Sequence, residues 1–160
     1  MREQRRARRI AMTPEEIDAY LATARTCRVA TVGRDGAPHV SPLWFVWEGG
    51  ALWFSSVVTS QRWTNFLRDP RVSVVVDGGD GYLELHGVEL IGEVEPVGEA
   101  PRTAVPNATL AEPERLWGEK YPDGPVMPDG RHAWVRLAPD KIVSWDFRKL
   151  PDDSWARPAT

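Results

Sequence analysis

Apolar residues along the chain change their spacing twice, and each change predicts a change of element. At Met12-Thr13-Pro14-Glu15-Glu16-Ile17 a threonine able to cap a helix is followed by proline at the first helical position and by a glutamate that completes a capping box. Ile17, Tyr20, Leu21 and Ala24 then recur at helical intervals, so a short helix with one apolar face is expected. From Arg28 the period falls to two. Residues 29–32, 38–47 and 51–57 are β-branched or aromatic runs separated by Gly33-Arg34-Asp35-Gly36 and Glu48-Gly49-Gly50, the pattern of an antiparallel meander.

Thr59 and Ser60 offer caps for a second helix over 61–68, which Asp69-Pro70 ends because the residue before proline avoids helical geometry. Strands are expected again over 71–77 and, after the turn Gly78-Gly79-Asp80-Gly81, over 82–95, where Gly87 interrupts the alternation and predicts a bulge. Between 96 and 128 the composition shifts toward Pro, Glu and Ala around a helix at 112–120, and two last strands follow at 131–137 and 141–147. Seven strands, short helices and no βαβ alternation predict a mainly β fold, an antiparallel β-barrel, closed or split.

At 160 residues and 18.0 kDa the chain fits one domain, read here as 12–149 between a disordered basic tail at 1–11 and a C-terminal tail at 150–160. The net charge of -3 is uneven: residues 1–9 hold five arginines against Glu3, leaving -7 for the remainder, so the body has no overall attraction for nucleic acid. No apolar run approaches the roughly 20 residues that span a bilayer, and the N-terminus lacks the apolar centre of a signal peptide; the expectation is a cytoplasmic protein with no membrane partner. Cys27 is the single cysteine, and His39, His86 and His132 lie far apart, so no metal-ligand spacing is present. Neither a Gly-x-Ser-x-Gly turn nor a Walker-type glycine loop occurs.

The most informative segment is 52–62, where a strand delivers Ser55, Ser56, Thr59 and Ser60 to a helix start and Arg62 follows within the first turn. Free N–H groups and the helix dipole favour an anion at such a place, and an arginine adds charge-assisted hydrogen bonds to phosphate oxygens. A capped helix bearing a surface arginine is commonplace, and taken alone these residues are better accounted for that way. Eight tryptophans exceed the usual number for this length; Trp44, Trp47, Trp53, Trp134 and Trp145 fall in expected strands, where they fill a core, cover an interface or wall a flat ligand.

In order and spacing, Arg28-Val-Ala-Thr-Val-Gly-Arg-Asp-Gly-Ala-Pro-His-Val-Ser-Pro-Leu-Trp-Phe, then Leu52-Trp-Phe-Ser-Ser, Ser60-Gln-Arg and Asn65-Phe-Leu-Arg-Asp-Pro-Arg-Val-Ser, the chain resembles the pyridoxamine 5'-phosphate oxidase-like, flavin-binding split barrels. The resemblance implies a homodimer with cofactors in the grooves between subunits, each ring lying against the second strand, here Ser41, Leu43, Trp44 and Phe45. It implies a phosphate grip made by Ser55, Ser56, Thr59, Ser60 and Arg62. The closing run Lys141-Ile-Val-Ser-Trp-Asp-Phe-Arg is most similar to the branch that uses the deazaflavin F420, in which Trp145 would face the ring from the partner subunit. Arg136-Leu-Ala-Pro139 has the letters of the family's substrate-phosphate motif but precedes another strand, and is read as a strand end.

The activity so implied is hydride transfer from reduced F420 to an unsaturated or conjugated small molecule. An FMN-dependent oxidase or reductase and a non-catalytic F420 carrier are the alternatives. Arg68 and Arg71 are candidate contacts for the polyglutamate tail of F420. No side chain stands out as a proton donor.

Overall fold

The computed structural model describes residues 4, 7–124 and 127–151. Of the two expected tails, residues 1–3, 5, 6 and 152–160 therefore lie outside the described residues. Helix α1 (Pro14–Thr23) begins at a complete capping box between Thr13 and Glu16. Seven strands follow: β1 (Thr26–Val32), β2 (Pro38–Trp44), β3 (Val46–Glu48), β4 (Ala51–Val57), β5 (Arg71–Gly78), β6 (His86–Val97) and β7 (His132–Asp146). Helix α2 (Gln61–Arg68) connects β4 to β5, and α3 (Ala111–Lys120) lies between β6 and β7. All pairings are antiparallel, in the order β2-β1-β5-β6-β7-β4-β3, and the sheet curls into a split barrel.

A switch of pairing partner closes the curl. The run expected as one strand over 38–47 breaks at Phe45: β2 pairs with β1, whereas β3, just beyond the break, pairs with β4. Phe45 thus has no ladder partner, and its N–H and C=O are both met by the Tyr121 hydroxyl, at 3.1 and 2.7 Å. Elsewhere β2 comes against β4 without pairing, which leaves a seam.

Strand β4 is buried on both sides. Leu52 and Phe54 point into the barrel core with Val29, Val74, Leu90 and Val135. Ala51 and Trp53 join a second apolar cluster in which Leu110, Trp117 and Tyr121 cover the outer face over Val46 and Trp134. An unbroken apolar run is what a strand covered on two faces requires.

The last two expected strands are one continuous β7. Its register against β6 skips Asp140 between Ile91↔Lys141 and Gly92↔Pro139, so the bulge falls there and not at Gly87, and the Arg136–Pro139 stretch runs into that bulge within the strand instead of ending one. Gly87 serves another purpose: a Cβ there would stand 2.5 Å from Cζ2 of Trp145, whose indole lies across it. The expected start of β6 at residue 82 is instead a 3-10 turn over Tyr82–Glu84.

Gln4, in the stretch expected as a disordered tail, and Met12 both bond to β7 where that strand has run past β4. Gln4 donates to the Ser144 carbonyl at 3.0 Å and accepts from the Ser144 N–H at 2.9 Å, and the Met12 N–H donates to Ser144 Oγ at 3.0 Å. Such pairing covers a sheet edge that would otherwise present open hydrogen-bonding groups.

Candidate functional site

The seam between β2 and β4 is bridged by one side chain. From the first turn of α2, Arg62 donates through Nη1 to Ser41 Oγ on β2 at 2.6 Å and through Nε to Ser56 Oγ on β4 at 3.2 Å. Ser60, the N-cap of α2, accepts from the Trp63 N–H and stands 3.4 Å from Ser56 Oγ, so the helix start and the strand end are fastened together.

Arg62 is only 8% exposed, and burial pulls its pKa down. Among the described residues it is one of two buried arginines, and the contrast with the other is chemical. Arg102 is held by the carboxylates of Glu99 and Glu114 and by the Val105 carbonyl. No carboxylate among the described residues lies within ion-pair distance of Arg62, whose protein partners are two neutral hydroxyls. A buried charge is ordinarily paired, so this site is one anion short of balance.

Arg62 forms part of the wall of an open cleft of about 340 Å³. Pro42, Leu43 and Trp44 of β2 line one side, Ser55 and His132 the other, with Trp117 behind. Trp44 is set rigidly: its ring stacks on Tyr121 at 4.4 Å and 4°, with the Arg25 guanidinium 4.8 Å from the Tyr121 centroid. A fixed flat aromatic, a free hydroxyl on Ser55 and a cation lacking a counter-charge suit a planar ligand that carries phosphate.

Most of the residues expected at the site therefore meet: Ser41, Leu43, Trp44, Ser55, Ser56, Ser60 and Arg62 surround the seam. Three do not. The Phe45 ring is fully buried in the barrel core. Thr59 is exposed and makes no side-chain hydrogen bond among the described residues, leaving the cap to Ser60. Trp145 lies toward the far end of β7 from His132, its indole across Gly87, and does not line the cleft.

The tail contacts expected of Arg68 and Arg71 are not free groups beside the cleft. Arg71 forms two parallel bonds to Asp69, at 2.9 and 2.7 Å, and Arg68 donates to the Val32 carbonyl.

Sequence reasoning missed His132. Its Nδ1 is 2.6 Å from Asp129 Oδ2, and Asp129 Oδ1 accepts from the N–H groups of Arg131 and His132 at 2.9 Å each. Burial would raise the Asp129 pKa, but those two N–H groups and the His132 ring outweigh it and hold the carboxyl at about 2. The available signal was Asp129-Gly-Arg-His132, an acid three residues before a histidine at a turn.

The family model described as pyridoxamine 5'-phosphate oxidase matches residues 13–146, and the chain belongs to that family. The structure is similar to that of Rv2991, a conserved hypothetical protein from Mycobacterium tuberculosis, with 32% identity and a TM-score of 0.75 over 93% of this chain and 94% of that one. An F420 reductase is 27% identical, with a TM-score of 0.60 over 82% and 98% of the two chains. HutZ, the heme storage protein from Vibrio cholerae, is 17% identical and shares the fold at a TM-score of 0.67 over 82% and 94%. No curated protein matches the sequence. Among the described residues no helix is long and apolar enough to cross a membrane.

Proposed function

We propose that the protein is an oxidoreductase that binds reduced F420 at the seam and passes a hydride to an unsaturated or conjugated small molecule. The observation that carries the reading is Arg62, buried without a counter-anion in the wall of a cleft flanked by a fixed aromatic. Similarity to an F420 reductase supports the choice of cofactor within the family.

In this reading Arg62 and Ser55 hold the phosphate, Ser41 and Ser56 keep the guanidinium aimed, and the backbone of β2 lies along the ring with Leu43 and Trp44. The deazaflavin supplies hydride chemistry when bound, and the protein's part is orientation and electrostatics. Pro38, Val40, Pro42 and Trp44 leave an exposed apolar stripe on β2, an edge strand, and a second copy of the chain is the cover we propose for it. That second copy would bring its Trp145 to the cleft, as the family resemblance implies; this chain's own indole lies across Gly87 and does not line the cleft.

Titrating purified protein with F420 and with FMN tests the assignment. F420 is expected to bind at least tenfold more tightly, about 1.4 kcal/mol, and FMN binding as tightly would favour the FMN-dependent alternative. Oxidation of reduced F420 across enones, quinones and tetrapyrroles then separates an enzyme from a carrier. Light scattering is expected to give twice the 18.0 kDa chain mass.

A further inference from the structure

We infer that His132 is a second anion contact of the cleft, which joins Arg62 on a phosphate-type anion and takes up a proton from solvent as that anion binds. The inference rests on the phosphate reading of the cleft. Asp129 accepts three hydrogen bonds, from two N–H groups and from the ring, so the proton of a neutral His132 belongs on Nδ1. Nε2 is then the open nitrogen: it has no partner among the described residues, and the ring lines the same cleft as Ser55 and Arg62. As a lone pair Nε2 repels an anion's oxygens, whereas protonated it donates a charge-assisted hydrogen bond. Anion binding and protonation must therefore favour each other.

The charges around the ring support this balance. Asp129 in the preceding turn offsets the imidazolium, and Arg131 adjoins it in sequence. Arg102 donates its backbone N–H to the His132 carbonyl at 2.7 Å, but its guanidinium is engaged by Glu99 and Glu114. Cys27, which acts on Arg62, stays a neutral thiol because burial pushes it up to about 12. Among the described residues, Arg62 and a protonated His132 are thus the two cations that line the cleft itself.

Sulfate is a suitable probe because it stays dianionic across the range in which imidazole titrates, so any pH dependence belongs to the protein. By calorimetry, wild-type protein is expected to bind sulfate about tenfold more tightly at about pH 5.5 than at about pH 8.5, equivalent to about 1.4 kcal/mol. Buffers of different ionisation enthalpy should reveal proton uptake. His132→Gln keeps a neutral donor near Nε2 and should flatten the pH dependence while leaving Arg62-dependent binding. Independently of any variant, the His132 ring resonance should titrate at higher pH with sulfate than without. A wild type that binds sulfate equally at both pH values, a His132→Gln protein that keeps the full slope, or an unmoved ring titration overturns the inference while the phosphate site stands. No sulfate binding by wild type, or equal binding by Arg62→Met, overturns both.

Discussion

Arg62 Nη1 and Ser41 Oγ, 2.6 Å apart, form the one side-chain hydrogen bond between α2 and β2 among the described residues, and it spans the seam where the barrel lacks ladder pairing. The same guanidinium carries the charge proposed for phosphate, so the site and the closure share an atom group. Arg62→Met is expected to weaken cofactor binding by about 1.5–3 kcal/mol, the range for hydrogen bonds to charged groups. Because it removes a buried charge with no counter-anion, the ligand-free variant should unfold within about 1 kcal/mol of wild type, or be the more stable of the two. Urea titration with and without ligand separates the effects, and a large loss of ligand-free stability would make Arg62 a structural clip first.

Tyr121 holds the corner at Phe45 by accepting from its N–H and sharing its own proton with the Arg25 and Phe45 carbonyls, both 2.7 Å away. Tyr121→Phe keeps the ring that stacks on Trp44 but leaves the buried Phe45 N–H without a partner. A cost of about 1–3 kcal/mol is expected in chemical denaturation. A neutral outcome would mean that water replaces the hydroxyl.

Stability should fall above about pH 9 through Cys27. Burial raises its thiol from 9.0 to about 12, so as pH climbs past 9.0 the unfolded chain loses the proton while the folded chain keeps it. The contribution is fully present below about 9 and is lost toward about 12, at up to about 1.4 kcal/mol per pH unit. Tyr121, pushed by burial to about 12, acts in the same sense above 10.0, and Lys120, pulled by burial to about 8, acts in the opposite sense up to 10.5. Apart from the charge coupling that each has with Cys27, these two contributions drop out of the difference between wild type and Cys27→Ala, which should shrink as pH rises; a difference constant from pH 8 to 10 would refute the thiol's role.

Gly87→Ala should displace the Trp145 indole, because the new methyl would stand 2.5 Å from Cζ2 and 2.8 Å from the Val76 carbonyl oxygen. Backbone on one side and a large ring on the other leave no easy relief, and a cost of about 1–3 kcal/mol is expected. Tryptophan fluorescence should shift with it. If Trp145 serves the cleft of a second copy, cofactor affinity should drop as well.

What the sequence made legible was local. The Thr13–Glu16 box, the Ser60 cap and the proline that stops α2 act within a few residues, and each stands where expected. The misplaced features depend on distant partners. Phe45 continues an apolar run, and only the switch of partner from β1 to β4 breaks the strand there. Gly87 disturbs the alternation because an indole crosses it, whereas the true bulge at Asp140 lies in a polar stretch that reads as a turn. Arg62 was legible as a cation near a helix start; its lack of a counter-anion was not, since that depends on which carboxylates the fold brings near. His132 was discounted for want of a histidine neighbour, though its partner Asp129 is three residues away.

The place of β4 in the sheet order has a consequence during synthesis. Its long pairing partner, β7, begins at His132, about 75 residues after β4 ends, and at about 5–20 residues per second those residues take roughly 4–15 s to emerge from a ribosome. Through that interval Ala51-Leu-Trp-Phe54, buried on both faces in the finished barrel, has only the three-residue β3 to pair with. A nascent chain is therefore most open to sticking to its neighbours late in translation, and soluble yield should depend on elongation rate and on holding chaperones more than the small size of the folded domain suggests.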